Sequence, residues 1–401
     1  MLQENYDITI VGGGIVGLST AYKLQLKHPL LKILVLEKED ELASHQTGRN
    51  SGVLHSGLYY KPGSLKAIYC VEGRRELVEF AKQNKIKHDV CGKIVLATNS
   101  KEADRLDSLK KNGIKNNLKD LRILSRNEFK KIEPFAEGLK ALWVPESGII
   151  DYVEVVKKLA LKVVSINPKS KVLNSCKVLN YTDKIINTVR GDFMSQNIIF
   201  CGGLFADRLA KNDIKDLNMQ IVAFRGDYYQ LSPHALNKVN NLIYPVPNPE
   251  FPFLGVHFTR MTNGLIECGP NAVFTFKREG YKKNNFNLRD SIESLTFPGT
   301  WKLFINHWKF GLNEYKRASS KFLFLKELRK MIPSLEIQDI TPSRSGVRAM
   351  ALDSNGKMID DFRIIHYKNH LHVLNAPSPA ATACLSIGSH IVDKVETYFN
   401  I

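Results

Sequence analysis

At 401 residues, with 43% hydrophobic and 24% charged side chains, the chain has the make-up of a globular protein too long for one core, so two domains are expected. No apolar run approaches the ~20 residues that a membrane-spanning helix needs. Six scattered cysteines without a Cys-x-x-Cys pair argue against a zinc or other metal site, a dithiol redox centre and a secreted disulfide framework. The formal net charge of +17 suits nucleic acid, an anionic membrane surface or an acidic substrate, with lysine-rich compositional drift as the plain alternative.

The chain enters an apolar strand at Ile8 to Val11 almost at once, with no basic leader and apolar core before it, so secretion is not expected. The strand runs into Gly12-x-Gly14-x-x-Gly17, then a helical pattern carrying Leu18, Ala21, Tyr22 and Leu24, then a second apolar strand that ends in Glu37. Gly12 permits the tight turn, Gly14 lets the backbone approach a pyrophosphate, and Gly17 lets helix pack on strand. The helix opened by Ile15 and Val16 offers unpaired N–H groups and a positive dipole end to phosphates. Glu37, followed by Lys38, sits where a carboxylate accepts from both ribose hydroxyls and repels a 2′-phosphate. The whole βαβ context points to a dinucleotide site.

Residues 43–60 are too rich in Gly, Ser and Asn for a regular core element. A helix is expected over 64–84, a strand over 93–97, and helices over 101–112 and 126–131. Asp151 is a good N-cap for a helix through residue 164. Strands follow near 171–180 and 187–190. A strand, Gly202-Gly203 turn and helix from residue 197 on then return the chain to its first domain. Residues 218–335 read as an antiparallel sheet, interrupted by one basic helical stretch at 301–330. A strand over 371–375, a Pro/Ser/Ala turn and an amphipathic helix over 387–398 close the chain. The fold class is therefore α/β with an α+β second domain. A discontinuous Rossmann-like nucleotide domain takes residues 1–84, 149–217 and 338–401, and a substrate domain takes 85–148 and 218–337.

Several motifs then combine. They are Gly12-x-Gly14-x-x-Gly17, His45-Gln-Thr-Gly-Arg-Asn-Ser-Gly-Val-Leu-His-Ser-Gly-Leu-Tyr-Tyr60, Phe224-Arg-Gly-Asp-Tyr228, Pro252-Phe-Leu-Gly-Val-His-Phe-Thr259, Gly269-Pro-Asn-Ala-Val-Phe-Thr-Phe-Lys-Arg-Glu-Gly-Tyr281, Gly346-Val-Arg-Ala349 and Asn375-Ala-Pro-Ser-Pro-Ala-Ala-Thr382. Over essentially its whole length the chain resembles the L-2-hydroxyglutarate dehydrogenase/oxidase family. That family lies in the FAD-dependent D-amino-acid-oxidase-like superfamily, with glycine oxidase and glycerol-3-phosphate dehydrogenase. Members read His-Gln-Thr-Gly-His-Asn-Ser-Gly, whereas this chain has Arg49 at the second histidine. Arginine keeps a donor and fixes the positive charge, so flavin binding can survive, but a role that needs neutral imidazole cannot. The resemblance implies a bacterial, cytoplasmic form, because no mitochondrial targeting extension precedes the first strand.

The resemblance further implies FAD, oxidation of L-2-hydroxyglutarate to 2-oxoglutarate, and transfer of electrons to a quinone or other acceptor. Thr47, Gly48, Arg49, Asn50, Ser51 and Gly52 would run beneath the flavin ring, with Gly202 and Gly203 close by. Ser378, Ala380, Ala381 and Thr382 would face the flavin where reduction builds negative charge. Hydride leaves the α-carbon of a hydroxy acid and a proton leaves its hydroxyl, so a base is required. His55 is the first choice and His257 the competitor, since imidazole titrates near working pH. Either could instead be a buried structural histidine.

A dicarboxylate substrate needs cations, which arginine supplies best through its fork. Arg225 and Arg348 are candidates, with a structural pair to Asp227 or another carboxylate as the alternative. Lys277 and Arg278 are further candidates, or else a solvated turn. Tyr59 and Tyr228 could cover the ring, or simply be core. Without a second nucleotide fingerprint, NAD is not expected as acceptor. The aromatic and basic residues 301–330 have the composition of an interfacial helix, so peripheral contact with an anionic inner leaflet is one option, and packing on the protein's own sheet is the other. Two other functions remain open: an oxidase of the same superfamily acting on an amino acid or glycerol 3-phosphate, and an RNA-modifying flavoprotein. The second lacks a nucleophilic cysteine or RNA module here, so no nucleic-acid partner is expected.

Overall fold

Along the first strands Ile8, Ile10, Ile33 and Val35 alternate with Val11, Leu34 and Leu36, all buried, as in strands covered on both faces. In the computed structural model, which describes residues 4–247 and 255–401, Asn5–Val11 lies between Ile33–Leu36 and Gly191–Phe200, parallel to both. Lys171–Leu173 extends this sheet on one side, and His370–Asn375 runs parallel beside the end of Gly191–Phe200 on the other. The hairpin Val178–Tyr181 and Ile185–Thr188 and the strand Arg363–Tyr367 complete eight strands. Ile8, Ile10, Ile33 and Val35 pack beneath the helices Ile15–Lys27, Tyr152–Ile166 and Cys384–Phe399. Val11, Leu34, Leu36 and Phe200 form a second layer on the opposite face.

The second sheet has nine strands. Lys93–Ala97, Arg122–Ser125 and Lys140–Val144 join Gln220–Leu231, Leu242–Pro245, His257–Arg260, Ile266–Gly269 and Val273–Phe274. It is not purely antiparallel as expected, because Leu242–Pro245 runs parallel to Lys93–Ala97, with Ile243 opposite Ile94. Ile340–Leu352 pairs along Gln220–Leu231, so these residues belong to the second sheet and not, as the expected boundary at 338 has it, to the first domain. The long strand Gln220–Leu231 needs an antiparallel neighbour of matching length, and the chain turns back to the first sheet only beyond Leu352. A three-stranded ribbon of Val53–Leu54, Gly148–Ile150 and His88–Asp89 links the glycine-rich loop to the second sheet.

The stretch 301–330, expected as one helix, is three: Pro298–Asn306, Trp308–Ser319 and Lys321–Leu328, preceded by Leu288–Thr296. Breaks fall at His307 and Ser320, and the Ser320 side chain caps the last helix by accepting from the Leu323 amide. Among the described residues no helix is long and apolar enough to cross a membrane.

Candidate active site

Three parallel strands ending together bring the glycine turn, Glu37 and Gly202-Gly203 to one edge, where open α/β sheets bind ligands. The Gly12 amide donates to the Leu36 carbonyl (2.8 Å) and the Cys201 amide to the Val11 carbonyl (2.8 Å). Gly12 has φ +115°, and a Cβ there would lie 2.3 Å from the Cys201 oxygen. A Cβ on Gly14 would instead meet only Thr47 Oγ1, at 3.5 Å, so this backbone is open to close approach. Buried Glu37 accepts from the Gly13 amide (2.9 Å) and the Glu39 amide (3.0 Å), which aims its carboxylate across the mouth of the turn. The Ile15 amide donates to Thr47 Oγ1 (3.1 Å) and so fastens the loop to the helix start that Val16 and Gly17 continue. An open glycine backbone, a helix N-terminus and a fixed carboxylate are the parts an adenine dinucleotide requires, and the residues fit FAD. The Lys38 side chain is directed elsewhere: it bonds Glu39 and Glu279 and lies 3.0 Å from His45 Nε2.

The loop from Thr47 to His55 is held from several sides. Asn50 donates to the Gln46 (3.0 Å) and Thr47 (2.7 Å) carbonyls and accepts from the Gly52 amide (2.8 Å). Arg344, in Ile340–Leu352, donates to the Gly48 and Asn50 carbonyls (2.7 Å each) and with Nε to Glu267 (2.7 Å). Arg49 donates to the Ser44 carbonyl (2.9 Å) and stacks 4.2 Å over the Tyr281 ring, so its charge is turned onto an aromatic face. Thr382 is wholly buried; its hydroxyl accepts from the His55 amide (3.1 Å), lies 2.9 Å from the Tyr152 hydroxyl and 3.2 Å from the Val53 carbonyl. Thus Thr382, expected at the flavin, fastens the loop to the turn before Cys384–Phe399. In that turn Ser378 is exposed and Ala380 and Ala381 are half-buried.

Period-two alternation builds the polar cluster beyond this loop. On the second sheet Ile94, Ile243, Phe258 and Tyr229 point into one core, so Lys93, Tyr244, His257 and Tyr228 occupy the opposite face, toward residues 53–59. The Tyr244 and His257 rings stack at 4.0 Å. The Lys93 ammonium lies 4.5 Å from the Tyr59 ring and 4.7 Å from the Tyr244 ring. Ser51 and Thr259 face the Tyr244 hydroxyl. Burial, then the Lys93 charge and competition with His257 for a proton, push the His55 imidazole down to about 3. Burial also takes His257 down to about 4, with Arg348 and Lys93 adding to the effect. His257 Nδ1 lies 2.9 Å from the Gly255 carbonyl, which requires the proton on Nδ1 and leaves Nε2 as an acceptor. Burial raises the Tyr228 phenol to about 12, opposed by the charge of Arg348.

Of the expected catalytic and substrate residues, His55, His257, Tyr59, Tyr228 and Arg348 therefore come together. Arg225 does not join them: its Nε donates to Asp227 (2.8 Å) and another nitrogen to the Lys282 carbonyl (3.0 Å), which is the structural pair named as its alternative. Half-buried Lys277 lies past the strand end Val273–Phe274, where its backbone carbonyl accepts from the Thr275 hydroxyl (3.2 Å). Arg278 is buried in a pair with Asp207 (2.8 Å). Pro252, Phe253 and Leu254 of one motif lie outside the described residues.

Sequence reasoning missed Lys93, Tyr244 and Arg344. A lysine opening the apolar run Lys-Ile-Val-Leu-Ala was the available signal, since its register matches buried Val95 and Ala97. Among the described residues, two side-chain groups have metal-like spacing, Asp213 with His370 and His372, and Glu39 with His45 and Glu279. In the first, Asp213 already bridges both imidazoles (2.8 and 2.7 Å), and in the second the Lys38 ammonium sits among the ligand atoms.

Comparison with known proteins gives concordant results. A family model described as FAD dependent oxidoreductase matches residues 7–394. The chain is 45% identical over 394 residues to an L-2-hydroxyglutarate dehydrogenase of Indibacter alkaliphilus, covering 97% of this chain and 98% of that one. It is 42% identical to the enzyme of that name from Escherichia coli K12, covering 98% and 93%. Among solved structures, a dithionite-reduced L-α-glycerophosphate oxidase from Mycoplasma pneumoniae with FAD bound superposes with a TM-score of 0.78 at 25% identity, covering 97% and 94%.

Proposed function

Because the chain belongs to the FAD-dependent oxidoreductase family, we propose that it oxidises L-2-hydroxyglutarate to 2-oxoglutarate. One observation carries this reading at the level of the site: the loop that starts at the dinucleotide turn, at Thr47, ends at His55 in a cluster of two neutral imidazoles and two cations. Bound FAD, held by the glycine turn, Glu37 and residues 47–52, supplies a hydride acceptor at flavin N5. The chain supplies the rest. Lowered basicity keeps His55 and His257 unprotonated at neutral pH, so either can accept the hydroxyl proton as the carbonyl forms. His55 is the preferred base, and Arg348 meets a substrate carboxylate, with Tyr59 and Tyr228 shielding them from water.

In an anaerobic titration of the purified yellow holoenzyme, the L enantiomer of 2-hydroxyglutarate is expected to bleach the flavin and the D enantiomer to leave it oxidised. His55→Ala is expected to slow that bleaching roughly 10²-fold or more with FAD still bound. Unchanged stopped-flow traces would pass the role to His257. The likeness to a glycerophosphate oxidase makes glycerol 3-phosphate the second substrate to test, beside glycine and proline.

The reduced enzyme hands its electrons to a quinone at an anionic membrane surface. Supporting this are exposed Trp301, Ile305, Trp308, Leu312 and Phe322 on the helices of residues 298–328. Beside them opens an apolar cavity of about 440 Å³ lined by Phe274, Phe304, Trp308, Phe310, Leu312 and Tyr315. This cavity shares no lining residue with the cluster round His55.

A further inference from the structure

Lys93 is only 1% exposed and opens a fully buried strand. Among the described residues its ammonium has no hydrogen-bond or carboxylate partner; its neighbours are the Tyr59 and Tyr244 rings and the two histidines. The Tyr59 hydroxyl is likewise buried without a hydrogen-bond partner. A buried ammonium whose neighbours are π-clouds, neutral imidazoles and a neutral thiol is strongly unfavourable unless an anion completes the site. We propose that the Lys93 ammonium, which lies over the Tyr59 ring, binds a carboxylate of the substrate, with the unpartnered Tyr59 hydroxyl as a further donor. This rests on the dicarboxylate reading above and adds to it the second cation that two carboxylates demand, with Arg348 as the first.

The surroundings agree. Burial takes Lys93 down to about 7 while no anion is present. The charged and titratable groups that act on Lys93 or on the two histidines are Cys70, His55, His257 and Arg348, beside the Tyr59 and Tyr244 rings. The two imidazoles stay neutral, burial holds the Cys70 thiol up at about 12, and both phenols are raised further. Lys93 therefore changes charge between pH 6 and 10, a range in which the two imidazoles and the Cys70 thiol do not. A bound carboxylate favours the ammonium, so binding takes up a proton above pH 7 and weakens as pH rises through that range.

The test uses the FAD-loaded enzyme and the variant Lys93→Met, with 2-oxoglutarate as equilibrium ligand. The expected result is roughly a 30-fold or greater rise in the Kd of 2-oxoglutarate and in the KM of L-2-hydroxyglutarate. Flavin content is unchanged, and Lys93→Arg regains part of the affinity. The wild-type Kd should rise above pH 7, whereas that of Lys93→Met stays flat. The melting temperature of Lys93→Met should equal or exceed that of wild type near pH 6, because an uncompensated buried charge has gone. A Kd within threefold of wild type, or a lower melting temperature with no change in the pH profile, would overturn the assignment. A wild-type holoenzyme that L-2-hydroxyglutarate fails to bleach would overturn the substrate reading and this assignment with it; a wild type that bleaches beside an unaltered Lys93→Met overturns only the latter.

Discussion

A histidine that must take a proton has to be neutral beforehand, and desolvation secures this for both imidazoles. With values of about 3 for His55 and about 4 for His257, acid should not silence the base until well below the ordinary histidine range. No loss in kcat/KM is therefore expected between pH 7 and pH 5, only a rise of about twofold as Lys93 becomes fully charged, and a tenfold loss across that interval would show a charged imidazole in the free enzyme. The same shifts affect stability. Both folded values lie below the unfolded value of about 6.5, so the unfolded chain takes up protons first and stability falls as pH drops from there to about 3 to 4. His257→Gln, which keeps a donor for the Gly255 carbonyl, should show a smaller drop in melting temperature between pH 7 and pH 4 than wild type. An equal drop would mean that this imidazole is not desolvated. His55 and His257 could be picked out in the sequence because histidines in Gly-flanked motifs are few. Lys93 could not, since a lysine that starts a strand usually reads as a solvated edge, and only the parity shared with Val95 and Ala97 distinguishes it. Arg225 illustrates the reverse: Asp227 two residues on lies on the same face of the strand and takes up its fork.

Regular elements were legible wherever the residues themselves determined them. Ser64 caps Leu65–Gln83 by accepting from the Ala67 amide, and Asp151 caps Tyr152–Ile166 by accepting from two amides. What local pattern cannot express is partnership: the parallel joint of Ile243 with Ile94, and the second-sheet strand Ile340–Leu352, are set by tertiary pairing. The loop over residues 47–55 has no regular hydrogen-bond ladder of its own, so distant elements hold it. Thr382, 327 residues from His55, is the clearest case. Thr382→Val keeps the shape but removes the acceptor for the His55 amide and the contacts with Tyr152 and Val53. It should cost about 1–3 kcal/mol in urea unfolding and loosen the loop. Thr382→Ser should retain most of that stability. A valine variant as stable as wild type would show that the buried amide finds another acceptor.

At the scale of the molecule, about a third of the +17 charge falls in one stretch. Residues 298–330 carry eight cations, from Lys302 to Lys330, against Glu314 and Glu327 alone. The same helices expose two indoles and several large aliphatic or aromatic side chains. Single exposed apolar residues are ordinary on protein surfaces, but several of them interspersed with lysine along three consecutive helices suit the interfacial contact proposed above. The sequence indicated this composition but not its division into short helices at His307 and Ser320, which leaves one side to pack on the sheet through Leu303, Phe324 and Leu325 and the other outward. Coulomb attraction to anionic lipid contributes about 1 kcal/mol per lysine near the surface and fades with salt, whereas indole insertion does not. Sedimentation with phosphatidylglycerol-containing vesicles should therefore separate the two terms. Wild type is expected to pellet at low salt and to release in part as salt rises. Trp301→Ala combined with Trp308→Ala should weaken binding by about 2 kcal/mol or more at every salt concentration, with turnover on a soluble dye unchanged. Equal recovery of both proteins in the supernatant at low salt would remove the membrane from this account and require an acceptor in solution, leaving the chemistry at His55 untouched.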